Sequence, residues 1–231
     1  MTLTVDVTSD VICPWCYVGK RRLEKAVAAL AGRGDVRVRW HPFELNPRMP
    51  KEGMNRREYR TAKFGSWARS LALDSQVAAV GRTEGILFAF DKIERTPNTF
   101  DAHRLIWLAD QEGVQDAVVE ALFRAYFTEG RDISHPPTLL EVVAGAGLDR
   151  GRAEAMLKDD DGIEAIRKAE EHARSSGVQG VPYFLVNNKF ALPGAQDASA
   201  FLAAFDRTGA KSPTADEGSV CKIGEGGMPS C

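Results

Sequence analysis

The sequence predicts an α/β protein in three parts: a β-α-β unit, a long run of helices, and a β-β-α unit. Three observations carry this. Apolar residues alternate at Leu3, Val5 and Val7 and again at Val36, Val38 and Trp40, whereas residues 55–176 hold helical spacings almost throughout. Strand signals return only at residues 178–192. A Cys-x-x-Cys pair, Cys13 and Cys16, stands at the first change from strand spacing to helix spacing.

Residues 3–7 are rich in β-branched side chains and read as a strand. After Cys16, apolar residues recur at Val18, Leu23, Ala26, Val27 and Leu30, a helical pattern that Gly32 and Gly34 are expected to end. Pro14 suits the first helical turn, where its missing N–H costs nothing. Cys13 then sits where free backbone N–H groups and the helix dipole favour an anion, and a thiolate is such an anion. Cys16, one turn on, is expected to be more enclosed and to act second.

The pair has three readings. A zinc half-site calls for a second close Cys/His pair at finger-like spacing, which does not follow, so no metal is expected. A structural disulfide across so short a loop constrains little of the unfolded chain. A redox pair is what the flanking strand and helix favour.

Residues 35–45 read as a second strand with Pro42 at its end, completing a right-handed β-α-β unit. His41 at that strand end is a candidate acid–base group near the thiols or a structural histidine. Residues 46–54, with Pro47, Pro50 and Gly53, form a loop. In the helical block, Asn55 with Glu58, and Thr138 with Glu141, have the form of helix caps. Asn98 starts a further helix, and its segment to Arg104 reads as a capped helix start with a surface His103. Val114, Ala117, Val118, Ala121 and Leu122 mark another helix, Asp149 precedes a short one, and Gly177 closes the last.

Pro182 opens a strand that runs to Val186, and Asn187-Asn188 is the turn of a hairpin. Asp197 is expected to cap the final helix. Residues 209–231 are rich in Gly, Ser and Pro and read as a flexible tail. The tail carries Cys221 and Cys231, expected either as a second redox pair exchanging with the first or as a static disulfide.

Composition sets the remaining bounds. The chain of 231 residues is 44% hydrophobic, enough for a sizeable core, and its net charge of −2 gives no sign of a nucleic-acid partner. No apolar run approaches a membrane span. The start lacks a basic region followed by an apolar block, so a cytoplasmic protein is expected, in a compartment where disulfides are mostly transient and catalytic.

Splitting β-α-β from β-β-α by an insertion is how a thioredoxin fold accommodates extra helices. The motifs make this specific. The segment Ser9-Asp10-Val11-Ile12-Cys13-Pro14-Trp15-Cys16-Tyr17-Val18-Gly19 resembles the active-site segment of DsbA-like thioredoxin-fold oxidoreductases, and most closely the FrnE-type branch. Gly180-Val181-Pro182-Tyr183-Phe184 resembles that family's cis-proline loop. Residues 40–47 and the Asn98-Thr99 and Ala102–Leu105 segments are similar to the FrnE-type pattern as well. The resemblance divides the chain into a thioredoxin-fold core (1–54 and 177–208), a helical insertion (55–176) and the tail (209–231).

It also implies roles. Cys13 is the attacking thiol and Cys16 the resolving one, with Val181–Pro182 a cis bond facing them. Pro14, Trp15, Val181, His41 and Asn98 are the implied substrate-binding residues. The implied activity is protein thiol–disulfide exchange as oxidase, reductase or isomerase. No cofactor is bound, glutathione is a candidate co-substrate, the partners are protein or small thiols and disulfides, and the oligomeric state is left open. Two rivals share the fold. Glutathione-dependent kappa and hydroxychromene-carboxylate isomerases generally have Ser where Cys13 stands. A non-catalytic module in natural-product biosynthesis would not need both cysteines.

Overall fold

The computed structural model describes residues 2–30 and 35–208. Strand β1 (Leu3–Ser9) leads into helix α1 (Pro14–Ala29), and the chain returns in β2 (Val36–Pro42), parallel to β1 with Val7 opposite Trp40. The hairpin strands β5 (Tyr183–Val186) and β6 (Phe190–Pro193) complete a sheet of order β2-β1-β5-β6, with β5 antiparallel to β1. Asn187 and Asn188 turn the hairpin at φ 48° and 54°, the left-handed region Asn tolerates. Helix α9 (Ala198–Arg207) then packs beside α1. Among the described residues this is the thioredoxin-fold core.

Between β2 and β5 the chain is nearly all helix: α2 (Arg56–Phe64), α3 (Trp67–Thr83), α4 (Phe100–Gln111), α5 (Gln115–Phe127), α6 (Pro136–Gly145), α7 (Arg150–Lys158) and α8 (Ile163–Ser175). The exception is a short antiparallel pair, β3 (Met54–Asn55) with β4 (Arg95–Thr96), which two-residue strands gave no periodicity to reveal.

The helical insertion is joined to the core at the open edge of β2. An edge strand presents unpaired backbone groups that need partners. The Gln115 side chain supplies both at once, accepting from Trp40 N–H at 2.9 Å and donating to Trp40 C=O at 3.0 Å. The Trp40 indole N–H donates to Asp116 at 3.0 Å. Beside it, Lys20 of α1 is buried and paired with Glu24, Asp116 and Glu120, so α5 contributes carboxylates to an ammonium of the core. Tyr17 stacks on Phe123 with ring centroids 5.0 Å apart, continuing the apolar part of the same contact.

Several expectations are corrected. Strand β2 ends at Pro42, as expected, and residues 43–45 lie beyond it; Pro lacks the N–H that continued pairing requires. Thr138 is no cap: α6 starts at Pro136, with prolines in its first two positions, and Thr138 lies within the first turn. Asp197 holds the cap position of α9 but makes no side-chain cap bond; its carboxylate pairs with Arg22 at 2.9 Å instead. Asn55 and Asp149 do cap α2 and α7 through their side chains. Gly32 and Gly34 lie outside the described residues; α1 ends at Ala29 with Leu30 as its cap.

Candidate active site

Cys13 is the N-cap of α1, and Pro14 follows it in the first turn. That turn contains no acidic residue, so nothing in it cancels the positive end of the helix dipole. The turn is pinned from both sides: Cys13 N–H donates to Asp10 C=O and Cys16 N–H to Cys13 C=O, each at 3.0 Å. Both thiols are free.

Val181–Pro182 is a cis peptide bond, as the resemblance implies. The Cys13 thiol donates to the Val181 carbonyl at 3.5 Å, so the loop before β5 is brought against the helix start. A glycine makes this approach possible. A Cβ on Gly19 would lie 2.9 Å from the Phe184 ring and 3.2 Å from the Pro182 ring. Trp15, 40% exposed, stands at the surface between the two cysteines in sequence.

Cys16 is fully buried. Burial pushes its thiol well above the usual range, and its hydrogen bond to Cys13 and the Cys13 charge act the same way. Two donors oppose them, the Ser9 hydroxyl and the Asp10 N–H. Cys13 at the helix start and Cys16 as an enclosed thiol below it form an asymmetric pair suited to sequential attack.

The other anticipated residues are spread more widely. His41 bonds Asp6 at 2.8 Å, on the sheet face opposite Val7 and Trp40. Asn98 donates to Met49 C=O at 2.8 Å and accepts from Phe100 N–H at 2.9 Å, and it lines a cavity of about 590 Å³ with Glu44, Asp101 and Glu170. Cys221 and Cys231 lie outside the described residues.

Four residues at or behind the pair were given no role of their own from sequence: Ser9 and Asp10 beside Cys16, and Glu44 and His103 around Asp10. Ser9-Asp10, polar and directly before the motif, was the available signal. His103 is not a surface residue. It is 3% exposed, because α4 is covered on most sides: Ala102, Leu105, Ile106 and Ala109 are buried as well. No group of three or more His, Cys, Asp or Glu suited to a metal ion occurs among the described residues.

A family model described as a DSBA-like thioredoxin domain matches residues 4–206. The chain belongs to that family. As a DSBA-like protein it is similar to a probable DsbA oxidoreductase from Streptomyces coelicolor, at 34% identity over 92% of each chain and a TM-score of 0.83. It is also similar to YwbO of Bacillus subtilis (strain 168), at 26% identity over 87% of this chain and 94% of that one. The cytosolic disulfide reductase DsbM from Pseudomonas aeruginosa, solved with GSH, shares the fold at 24% identity and a TM-score of 0.61, over 88% of this chain and 99% of that one. The DSBA-like family and its oxidoreductase neighbours place this chain in thiol–disulfide chemistry.

Proposed function

We propose that the protein is a thiol–disulfide oxidoreductase of the FrnE-type branch that works through a mixed disulfide at Cys13. The observation that carries this is the placement of the Cys13 thiol: at the start of α1, on the Val181 carbonyl, with Cys16 directly beneath. The Cys13 thiolate attacks a substrate disulfide. One substrate sulfur bonds to Cys13, and the other leaves as a thiolate that takes up a proton. Cys16 then loses its proton to water and attacks the Cys13 sulfur. This forms the Cys13–Cys16 disulfide and releases the second substrate thiol. The Ser9 hydroxyl and Asp10 N–H face the Cys16 sulfur as its negative charge develops.

Substrates in this reading are proteins or small disulfides whose extended backbone lies along the Val181 loop. Glutathione, which accompanies DsbM in its structure, is the co-substrate that returns the pair to the dithiol in a reducing cytoplasm. The test is insulin reduction driven by dithiothreitol or glutathione. Wild type should accelerate precipitation of the insulin B chain, and Cys13→Ser should abolish the acceleration. Equal rates for the two proteins would sink the proposal.

A further inference from the structure

Asp10 is the residue that touches both cysteines. Its carbonyl accepts from Cys13 N–H at 3.0 Å, and its own N–H faces the Cys16 sulfur. Its fully buried carboxylate accepts from Ile12 N–H at 3.3 Å and from Leu45 N–H at 2.8 Å. It therefore ties the motif turn to the exit of β2.

Two buried polar groups act on this carboxylate, and one of them is left unsatisfied. His103 Nε2 lies 3.6 Å from Asp10 Oδ1 and has no hydrogen-bond partner among the described residues. Glu44, next to Leu45, is 6% exposed, and its carboxyl and that of Asp10 repel each other. A buried polar atom left unpaired is costly and calls for an explanation. The two groups also feel each other, since positive charge on His103 favours the ionised form of Glu44.

We infer that Glu44 and His103 are positioning residues that adjust the cysteine pair through Asp10, with Glu44 as the point where the cluster exchanges protons with the outside. Glu44 borders the cavity of about 590 Å³ whose other walls include Asn98, Arg104 and Arg167, so protons reach it without crossing the core. The charged groups around it come from three elements. Glu170 of α8 accepts from Glu44 N–H, and Arg174 of α8 donates to Glu44 C=O at 3.2 Å. His103 comes from α4, and Asp10 from the turn before α1. Burial and the Glu170 charge push the Glu44 carboxyl up to about 7, so its charge changes within the working range of a cytoplasmic enzyme. Loss of that proton places a negative charge beside the His103–Asp10 contact, and with it beside the motif turn.

The inference rests on Cys13 being the exchanging thiol, but its test needs no disulfide substrate, so the two readings fail separately. The full-length reduced protein is alkylated with iodoacetamide across pH 5–9, and the rate is read at the Cys13 peptide by mass spectrometry. Wild type should show, besides the step of the thiol itself, a second step near pH 7 of roughly fivefold, the scale of one nearby charge. Glu44→Gln, which keeps the shape, should remove that second step. His103→Asn should remove it too, and the double variant should match either single one, because both act along one path. Circular dichroism checks that each variant is folded, and His103→Gln stands in should His103→Asn fail to fold. A wild-type profile with one step, superimposable wild-type and Glu44→Gln profiles, or additive effects of the two substitutions would each overturn the inference.

Discussion

The Cys13 thiol and the Val181 carbonyl are hydrogen-bonded at 3.5 Å across 168 positions of sequence. The contact sets a backbone acceptor directly beside the Cys13 sulfur. On the proposed function, an extended substrate strand would meet a backbone acceptor and the attacking thiol side by side, so that main-chain pairing would align its disulfide for attack. In the proposed reaction Cys16 then attacks the Cys13 sulfur of the mixed disulfide, not the substrate sulfur.

This order of events gives the first prediction. Cys16→Ser removes the group that resolves the intermediate and leaves the attack intact. The variant, incubated with oxidised glutathione or a disulfide peptide, should accumulate a mixed disulfide. Mass spectrometry of the tryptic digest should locate the adduct on Cys13. Cys13→Ser should give no such adduct at Cys16, which is buried. An adduct on Cys16 in that variant would reverse the two roles.

Ser9 supplies the second. Its hydroxyl is the side-chain donor that opposes burial at Cys16. A hydrogen bond to a charged group contributes about 1.5–3 kcal/mol. Its loss in Ser9→Ala should slow formation of the Cys13–Cys16 disulfide from a mixed disulfide by roughly tenfold or more. Attack by Cys13 on the first disulfide should keep its rate. Ser9→Thr, which retains the hydroxyl, should restore resolution; a Thr variant as slow as the Ala variant would show that packing, not donation, is at issue. Stopped-flow with a fluorescent glutathione adduct separates the two steps.

The third concerns Asp6, which ties β1 to β2 through His41 and Arg39. Burial alone would raise its carboxyl, but the hydrogen bonds and charges of His41 and Arg39 outweigh it and hold the group below its ordinary value of 3.8. A depressed carboxyl contributes stability that is complete above the unfolded value and is lost as pH falls through the folded one. Asp6→Asn should therefore melt below wild type at pH 6, and the gap should close as pH drops below 3.8. A constant gap across that range, followed by differential scanning calorimetry, would mean that the ion pair is not its source.

The hairpin and the site core were legible in the sequence because they depend on local chemistry. Asn187-Asn188 between two apolar runs specifies a left-handed turn wherever it occurs. Cys13-Pro14 specifies a helix start because Pro fixes the backbone and lacks the N–H a first turn does not use. The cap at Asn55 was equally local. The reading failed at Thr138, where two local signals competed and Pro136-Pro137 set the helix start earlier.

By itself, then, the sequence determined the order of the four strands of the main sheet and of the helices, and the Cys-x-x-Cys pair at the start of α1, since these follow from backbone preferences within a few residues. The tertiary structure decided what surrounds the sulfurs. Gln115 completing the edge of β2, Val181 against Cys13, and His103 beside Asp10 join residues 75, 168 and 93 positions apart. Such contacts leave no periodicity in the chain. They exist because a buried N–H, C=O or carboxylate must find a partner, and only the packed fold determines which one is near.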